Sequence, residues 1–221
     1  MPAFDQLILL TPRLRLRPLA TNDAPALLTI FSDVRVTQYG TMLPWQSIGD
    51  AHAMVDRDVH AMQLGERLRL GIERLDDAAL VGTCTLFDLD PLCRSAELGY
   101  GLHPQAWGQG YMHEALMALL EYGFSELGLN RVMADVDPRN TASKKSLGRL
   151  GFIEEGLLRE NCVIDGALAD SALYGLLCRE WRATVRPTRQ SEVTGVALDV
   201  EEEVFDKSST SRPSLQDSAP I

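Results

Sequence analysis

Residues 97–127 constrain the fold more than any other part of the chain: a strand-like segment runs through a two-glycine turn directly into an amphipathic helix. The turn is Gln105-Ala106-Trp107-Gly108-Gln109-Gly110. After it, Met112, Ala115, Leu116, Leu119, Leu120, Gly123, Phe124 and Leu127 recur at alternating steps of three and one, which turns a single helical stripe toward a core. Gly108 and Gly110 let the backbone approach a ligand closely, and the first-turn N–H groups have no partner within the helix. Such a helix end attracts phosphate through hydrogen bonds and through its dipole. Gly-x-Gly before a helix is equally often a tight connection, so the turn alone does not decide. Two dinucleotide readings fail. Gly110 is followed by Tyr111, Met112 and His113, which removes the third glycine of G-x-G-x-x-G, and no G-K-[ST] occurs. The run of strands before the turn also departs from the early βαβ order of a Rossmann domain.

The flanking sequence reads as α+β on one sheet. Leu14, Leu16 and Leu19 separated by Arg13, Arg15 and Arg17 predict a strand with one charged, solvated face. Asn22 and Asp23 before Pro25 predict a helix start. A second helix is expected over 48–64, capped by Ser47 and stopped by Gly65. Strands are expected near 67–73 and 80–88, joined at Asp76 and Asp77, and at 95–102 and 131–136. A short helix after Asn140 and late strands near 154–163 and 172–178 complete the body. Residues from about 183 to 221 are rich in Ser, Thr, Glu and Pro without periodicity and are expected to form a disordered tail.

With 221 residues, 45% of them hydrophobic, the chain can bury one core of roughly 180 residues. No apolar run approaches the roughly 20 residues needed to span a bilayer, so a cytoplasmic protein with no membrane partner is expected. Cys84, Cys93, Cys162 and Cys178 have no C-x-x-C spacing and read as reduced, mostly buried thiols. The formal charge of −10 argues against nucleic acid and suits a cationic substrate. Beyond Thr188 there are seven acids against three bases, which leaves about −6 on the body. His52, His60, His103 and His113 lack metal-ligand spacing, so no metal is expected.

Gln105 to Gly110 fit the pattern [QR]-x-x-G-x-[GA], the acyl-CoA pyrophosphate signature of GNAT N-acetyltransferases, between the strand and helix that such enzymes place around it. Further blocks carry the same resemblance: Leu10-Thr11-Pro12-Arg13-Leu14-Arg15-Leu16-Arg17-Pro18, Glu97-Leu98-Gly99-Tyr100, residues 107–115 and 137–143, and Leu150-Gly151-Phe152. Together they look like the branch containing the ribosomal-protein alanine and serine N-acetyltransferases, over about residues 8–182. The resemblance implies a GNAT acyl-CoA N-acyltransferase fold, a mixed central sheet flanked by helices, with acetyl-CoA as co-substrate. It implies cofactor contacts at Leu102, at Gln105, at Gly108, Gln109, Gly110, Tyr111 and Met112, and at Asn140. A homodimer is compatible with it.

Acetyl transfer to an amine needs a neutral amine, a stabilised oxyanion and a proton for the departing thiolate. Amines are mostly protonated at neutral pH, so a carboxylate is the expected base. Glu97 is the first candidate, because alternation along 95–102 places it on one face with Gly99 and Gly101, a face expected to be bare of side chains. Read blandly, it is a solvated glutamate. Asp135 is the second candidate, five residues before Asn140 as in some N-terminal acetyltransferases; a salt-bridged acid is its alternative. Asn140 fits a helix N-cap, and the resemblance adds a contact to the pantetheine arm. Ser143 stands where ribosomal-protein acetyltransferases carry a serine proposed to protonate the thiolate. Leu147 departs from the GNAT pattern, which often has tyrosine there, so tyrosine acid catalysis is not implied; an acyl-CoA-sensing module without efficient chemistry is the alternative to an enzyme. Trp107 reads either as a cover for the cofactor arm or as packing. For the acceptor, residues 154–170 look like the ribosomal-protein alanine enzyme, so a protein N-terminal α-amine is favoured over a polyamine or aminoglycoside.

Overall fold

The computed structural model describes residues 3–184. Its elements are β1 (Leu9–Leu10), β2 (Leu14–Arg17), α1 (Ala24–Phe31), α2 (Val34–Thr37), α3 (Ile48–Gln63), β3 (Leu68–Arg74), β4 (Leu80–Asp90) and β5 (Ser95–Leu102), followed by α4 (Tyr111–Ser125), β6 (Arg131–Val136), α5 (Thr141–Arg149), β7 (Ile153–Ile164), β8 (Ala167–Leu177) and α6 (Cys178–Thr184). One sheet runs in the order β1-β2-β3-β4-β5-β6-β8-β7. Every neighbouring pair is antiparallel except β5 and β6. Residues 183 and 184 still belong to α6, and the remainder of the expected tail lies outside the described residues.

The parallel pair determines where a ligand can enter. β5 and β6 meet only at Ser95↔Arg131, Ala96↔Val132 and Glu97↔Met133. Beyond Glu97, β5 keeps its bonds to β4, and beyond Met133, β6 keeps its bonds to β8. The two strands therefore fork, and the sheet opens in its own middle.

Each face of the sheet carries its own core. On one face α4 lays down the predicted stripe, with Ala115, Leu116, Leu119, Leu120 and Phe124 buried, and α5 and α6 add Leu147 and Trp181. Gly123 is required there for close approach, since a Cβ would come within 3.1 Å of a Leu86 methyl. On the other face α1 and α3 bury Leu27, Ile30, Phe31, Met54 and Val55. Ser47 is the N-cap of α3, as its position implies, with Asp50 accepting from the Ser47 backbone N–H at 2.9 Å.

Four expectations need correction. The arginine face of β2 is not simply solvated: Arg17 pairs with Asp23 at 2.7 Å and Glu73 at 2.6 Å, both carboxylates nearly buried. That network ties the turn before α1 to the sheet. Of the four free cysteines only Cys84 is buried; Cys93 is exposed. β8 starts at Ala167 rather than 172, because Asp165 and Gly166, both at positive φ, close a tight hairpin that extends both strands. Last, the face beside Glu97 is not bare. A Cβ on Gly99 would meet Thr85 at 3.1 Å and Phe87 at 3.3 Å, and one on Gly101 would meet Phe31 at 3.2 Å. The two glycines make room for aromatic rings, not for an empty channel.

Candidate acetyl-donor and acceptor site

The glycine turn adopts the backbone its composition requires. Gly108 has φ +75° and Gly110 has φ +81°, the left-handed region that side chains disfavour. Gly110 is the N-cap of α4, so the first N–H groups of the helix emerge directly from the turn. Before the turn, the Trp107 indole N–H donates to the Leu102 carbonyl at 2.8 Å, and Gln109 Nε2 donates to the Gln105 carbonyl at 2.9 Å. These bonds fix the turn against the end of β5.

A cavity of about 530 Å³ opens at this helix end, against the end of β5. Residues 100–102 of β5, the turn with the start of α4, and residues 140–143 of α5 form three walls. Arg35 of α2 and Arg149 at the end of α5 also line it, and none of the residues lining it is acidic. A Cβ on Gly108 would meet nothing within 4 Å, so the backbone there faces open space. Free helix N–H groups, a bare glycine and Arg149 suit a diphosphate ester, whereas the Arg35 guanidinium is already paired with Asp33.

Of the residues expected to hold the cofactor, Leu102, Gly108, Gly110, Tyr111, Met112 and Asn140 line this cavity. Gln105 does not; it lines a smaller cavity of about 310 Å³ beside α1. The Gln109 side chain is likewise turned back onto the Gln105 carbonyl. Half-exposed Trp107 lies on the wall, and so does Ser143. Asn140 caps α5 by accepting from the Ser143 N–H at 3.0 Å. Just before it, Asp137 accepts from the Arg139 backbone N–H at 2.8 Å and pairs with its guanidinium, which holds the Asp137 carboxyl below its ordinary range. The loop entering α5 is thereby fixed.

The carboxylates lie elsewhere. Glu97 stands where β5 and β6 part, and Asp135 follows Met133 by two residues on the same face of β6. Neither lines the cavity. Burial, then the charges of Asp135 and Asp88, push the Glu97 carboxyl above its ordinary range. Asp88 sits at positive φ in a bulge of β4. The three carboxylates thus cluster where β5 and β6 part, apart from the acid-free lining of the cavity. Glu97 and Asp135 are brought together; Ser143 is on the cavity side.

Two features escaped the sequence reading. Tyr100 reads as one more apolar position on β5, yet it lines the cavity with its hydroxyl 3.5 Å from the Ser143 carbonyl. A tyrosine among aliphatic residues is the signal that it needs a polar partner. Burial raises its pKa, so the hydroxyl remains a donor at neutral pH. Helix α2, only four residues long, is too short to show a period. Leu147, in place of the family tyrosine, is fully buried in the larger core.

Among the described residues no cluster of His, Cys, Asp and Glu could hold a metal, and no helix is long and apolar enough to cross a membrane. The profile of the family described as "Acetyltransferase (GNAT) domain" matches residues 13–153. An uncharacterized N-acetyltransferase, p20 of Bacillus licheniformis, is 37% identical over 173 residues, covering 78% of this chain and 97% of its own. The ribosomal protein uS5-alanine N-acetyltransferase of Escherichia coli is 27% identical (78% and 92% covered), and the spermidine N(1)-acetyltransferase of Vibrio cholerae is 25% identical (72% and 89% covered). Among solved structures, Mycobacterium smegmatis RimJ in complex with CoA-disulfide superimposes with a TM-score of 0.70 at 28% identity, covering 76% of this chain and 83% of its own. An acetyl-CoA-type phosphate cradle, a forked sheet and these matches converge: the chain belongs to the GNAT family of acetyl-CoA-dependent N-acetyltransferases.

Proposed function

We propose that the chain acetylates the α-amine of a protein N-terminus, with acetyl-CoA in the acid-free cavity and the amine at the Glu97 carboxylate. The observation that carries this reading is the separation of the carboxylates around Glu97 from an acid-free cavity lining. A cationic amine is drawn to Glu97, Asp135 and Asp88, and a polyphosphate to Arg149 and the α4 N-terminus.

The residues present fit acetyl-CoA. The N–H groups at Gly110, Tyr111 and Met112 would receive the pyrophosphate, Gly108 would leave room for it, and Asn140 and Ser143 would flank the arm. When bound, acetyl-CoA supplies the acetyl group as a thioester. Glu97 is the base: its raised pKa makes it a better proton acceptor than an ordinary glutamate, and it accepts the ammonium proton directly or through water. Asp135 keeps the local field negative. Ser143 and Tyr100 place hydroxyl groups on the cavity side, where a departing thiolate takes a proton; a thiol of pKa about 8.5 needs little assistance.

The preference for a protein N-terminus rests on the uS5-alanine relative and on the accessible strand β7, whose residue Gly156 lies two strands from Asp135 through Leu173. Kinship of fold does not fix an acceptor. A thiol-release screen over N-terminal peptides of ribosomal proteins, polyamines and aminoglycosides decides it. Turnover with peptides carrying a free α-amine, abolished by N-terminal blocking, is the expected result. Preferential turnover of spermidine would replace the peptide with a polyamine, and CoA binding without turnover of any amine would leave only a sensing module.

A further inference from the structure

Residues 11–13 lie just before β2, about a hundred positions from α4, yet they are bonded to its first turn. The Thr11 hydroxyl donates to Glu114 Oε1 at 2.6 Å, and the Arg13 backbone N–H donates to the same oxygen at 2.9 Å. Arg13 Nε donates to Glu114 Oε2 at 2.6 Å, with Nη2 of the same guanidinium also 2.6 Å from that oxygen. The remaining arm, Nη1, donates to the Gln109 carbonyl at 3.0 Å. The guanidinium lies over the Tyr111 ring, 4.7 Å from its centroid. A planar, five-donor cation is thus shared among a helix carboxylate, a turn carbonyl and an aromatic face.

Peptide geometry makes the carbonyl contact consequential. The Gln109 carbonyl and the Gly110 N–H belong to one planar trans unit and point in opposite directions. Holding the carbonyl outward on Arg13 therefore turns the Gly110 N–H away from Arg13, and Gly110 is a cavity residue. At φ +81° Gly110 has no side chain to restrain that peptide, so without a brace the unit could rotate. Glu114 adds a second requirement. A carboxylate in the first turn suits the helix dipole but repels a phosphate at the same end. Thr11 and Arg13 occupy both its oxygens, and their bonds outweigh burial to keep its pKa below the ordinary value.

We propose that Arg13 is a positioning residue for the acetyl donor: from outside the site it fixes the Gln109–Gly110 peptide so that its N–H serves the pyrophosphate, and it neutralises Glu114 beside that anion. This rests on the reading of the cavity as the acetyl-CoA site.

The test compares a donor that has a pyrophosphate with one that lacks it. Arg13→Met is expected to weaken acetyl-CoA binding by about tenfold in isothermal titration, the size of one charge-assisted bond. With acetyl-CoA, KM should rise by the same factor while kcat at saturation stays near the native value. With acetyl-pantetheine, which carries neither pyrophosphate nor nucleotide, kcat/KM should not change. Arg13→Lys should recover part of the affinity, since an ammonium reaches Glu114 or the carbonyl but cannot bridge both as a planar fork does. Equal losses with the two donors, or an unchanged acetyl-CoA affinity, would overturn the proposal. Should Arg13→Met melt below the assay temperature, Arg13→Lys carries the same donor comparison. Failure of the native protein to bind acetyl-CoA would instead overturn the assignment of the cavity, a separate outcome.

Discussion

The proposed donor and acceptor regions on either side of the parting of β5 and β6 are made from different materials. On the donor side a single stretch, from the end of β5 through the start of α4, supplies the backbone N–H groups and two glycines, and its helix is buried along one stripe. On the acceptor side Asp88, Glu97 and Asp135 come from three strands, and the surroundings are filled by Phe31 from α1 and Phe87 from β4. A site made of main chain tolerates side-chain change but not a change of backbone conformation. A site made of side chains behaves in the opposite way, and the Glu97 carboxyl is raised by burial and by the charges of Asp135 and Asp88.

The largest effect that can break this contrast is expected at Glu97. Glu97→Gln should lower kcat by roughly 10² to 10⁴, as for loss of a general base, with acetyl-CoA affinity unchanged. Raising the pH should restore part of the rate by supplying neutral amine. Asp135→Asn should do much less. A native kcat and pH profile in Glu97→Gln would return the base to Asp135 or to solvent.

The corresponding change on the donor side is Gly110→Ala. A Cβ there must adopt φ +81° and approach the Arg13 guanidinium at 3.4 Å. The strain of about 1–2 kcal/mol should be relieved by movement of the turn, lowering acetyl-CoA affinity several-fold in titration calorimetry. Acceptor KM should stay fixed; a matching change in it would dissolve the division between the two halves.

Asn140→Ala is expected to cost about 1 kcal/mol of stability through loss of the bond to the Ser143 N–H. Thermal or urea unfolding measures it. If acetyl-CoA affinity falls by more than the stability loss accounts for, Asn140 also touches the donor.

The smallest effect is one of sign. The Glu97 carboxyl is raised above its unfolded value, so its contribution to stability is fully present below that value and is lost as pH rises through the folded pKa. Glu97→Gln should therefore melt slightly above the native protein at pH 7–8. The gap should close on acidification toward the ordinary glutamate range near pH 4.3. A variant that melts lower at neutral pH would show Glu97 to be structural.

The same contrast explains what the sequence disclosed. The donor side was legible because a glycine turn, a 3.6-residue stripe and an asparagine cap are local patterns, and each has a local structural consequence. The acceptor side was only half legible. Alternation along β5 correctly set Glu97 on the face of Gly99 and Gly101, but no local pattern announces that Phe31, seventy residues away, fills the space over Gly101. The Asp165-Gly166 turn was a local signal passed over, and it would have placed β8 correctly. Arg13 looked like one of three solvated bases, because its partner Glu114 lies 101 residues on and nothing in either neighbourhood names the other.

The early parting of β5 and β6 gives this sheet four rims instead of two. The outer rims, β1 and β7, face solvent, where another chain's strand could pair with them. The inner rims, residues 98–102 and 134–136, face each other without ladder bonds across the fork, and of their groups the Leu102 carbonyl is taken by the Trp107 indole. The fork leaves hydrogen-bonding groups inside the protein without exposing an aggregation template, and in the proposed reading a slender, amide-bearing arm would complete it. Amide exchange along these two segments should slow on donor binding more than along either outer rim.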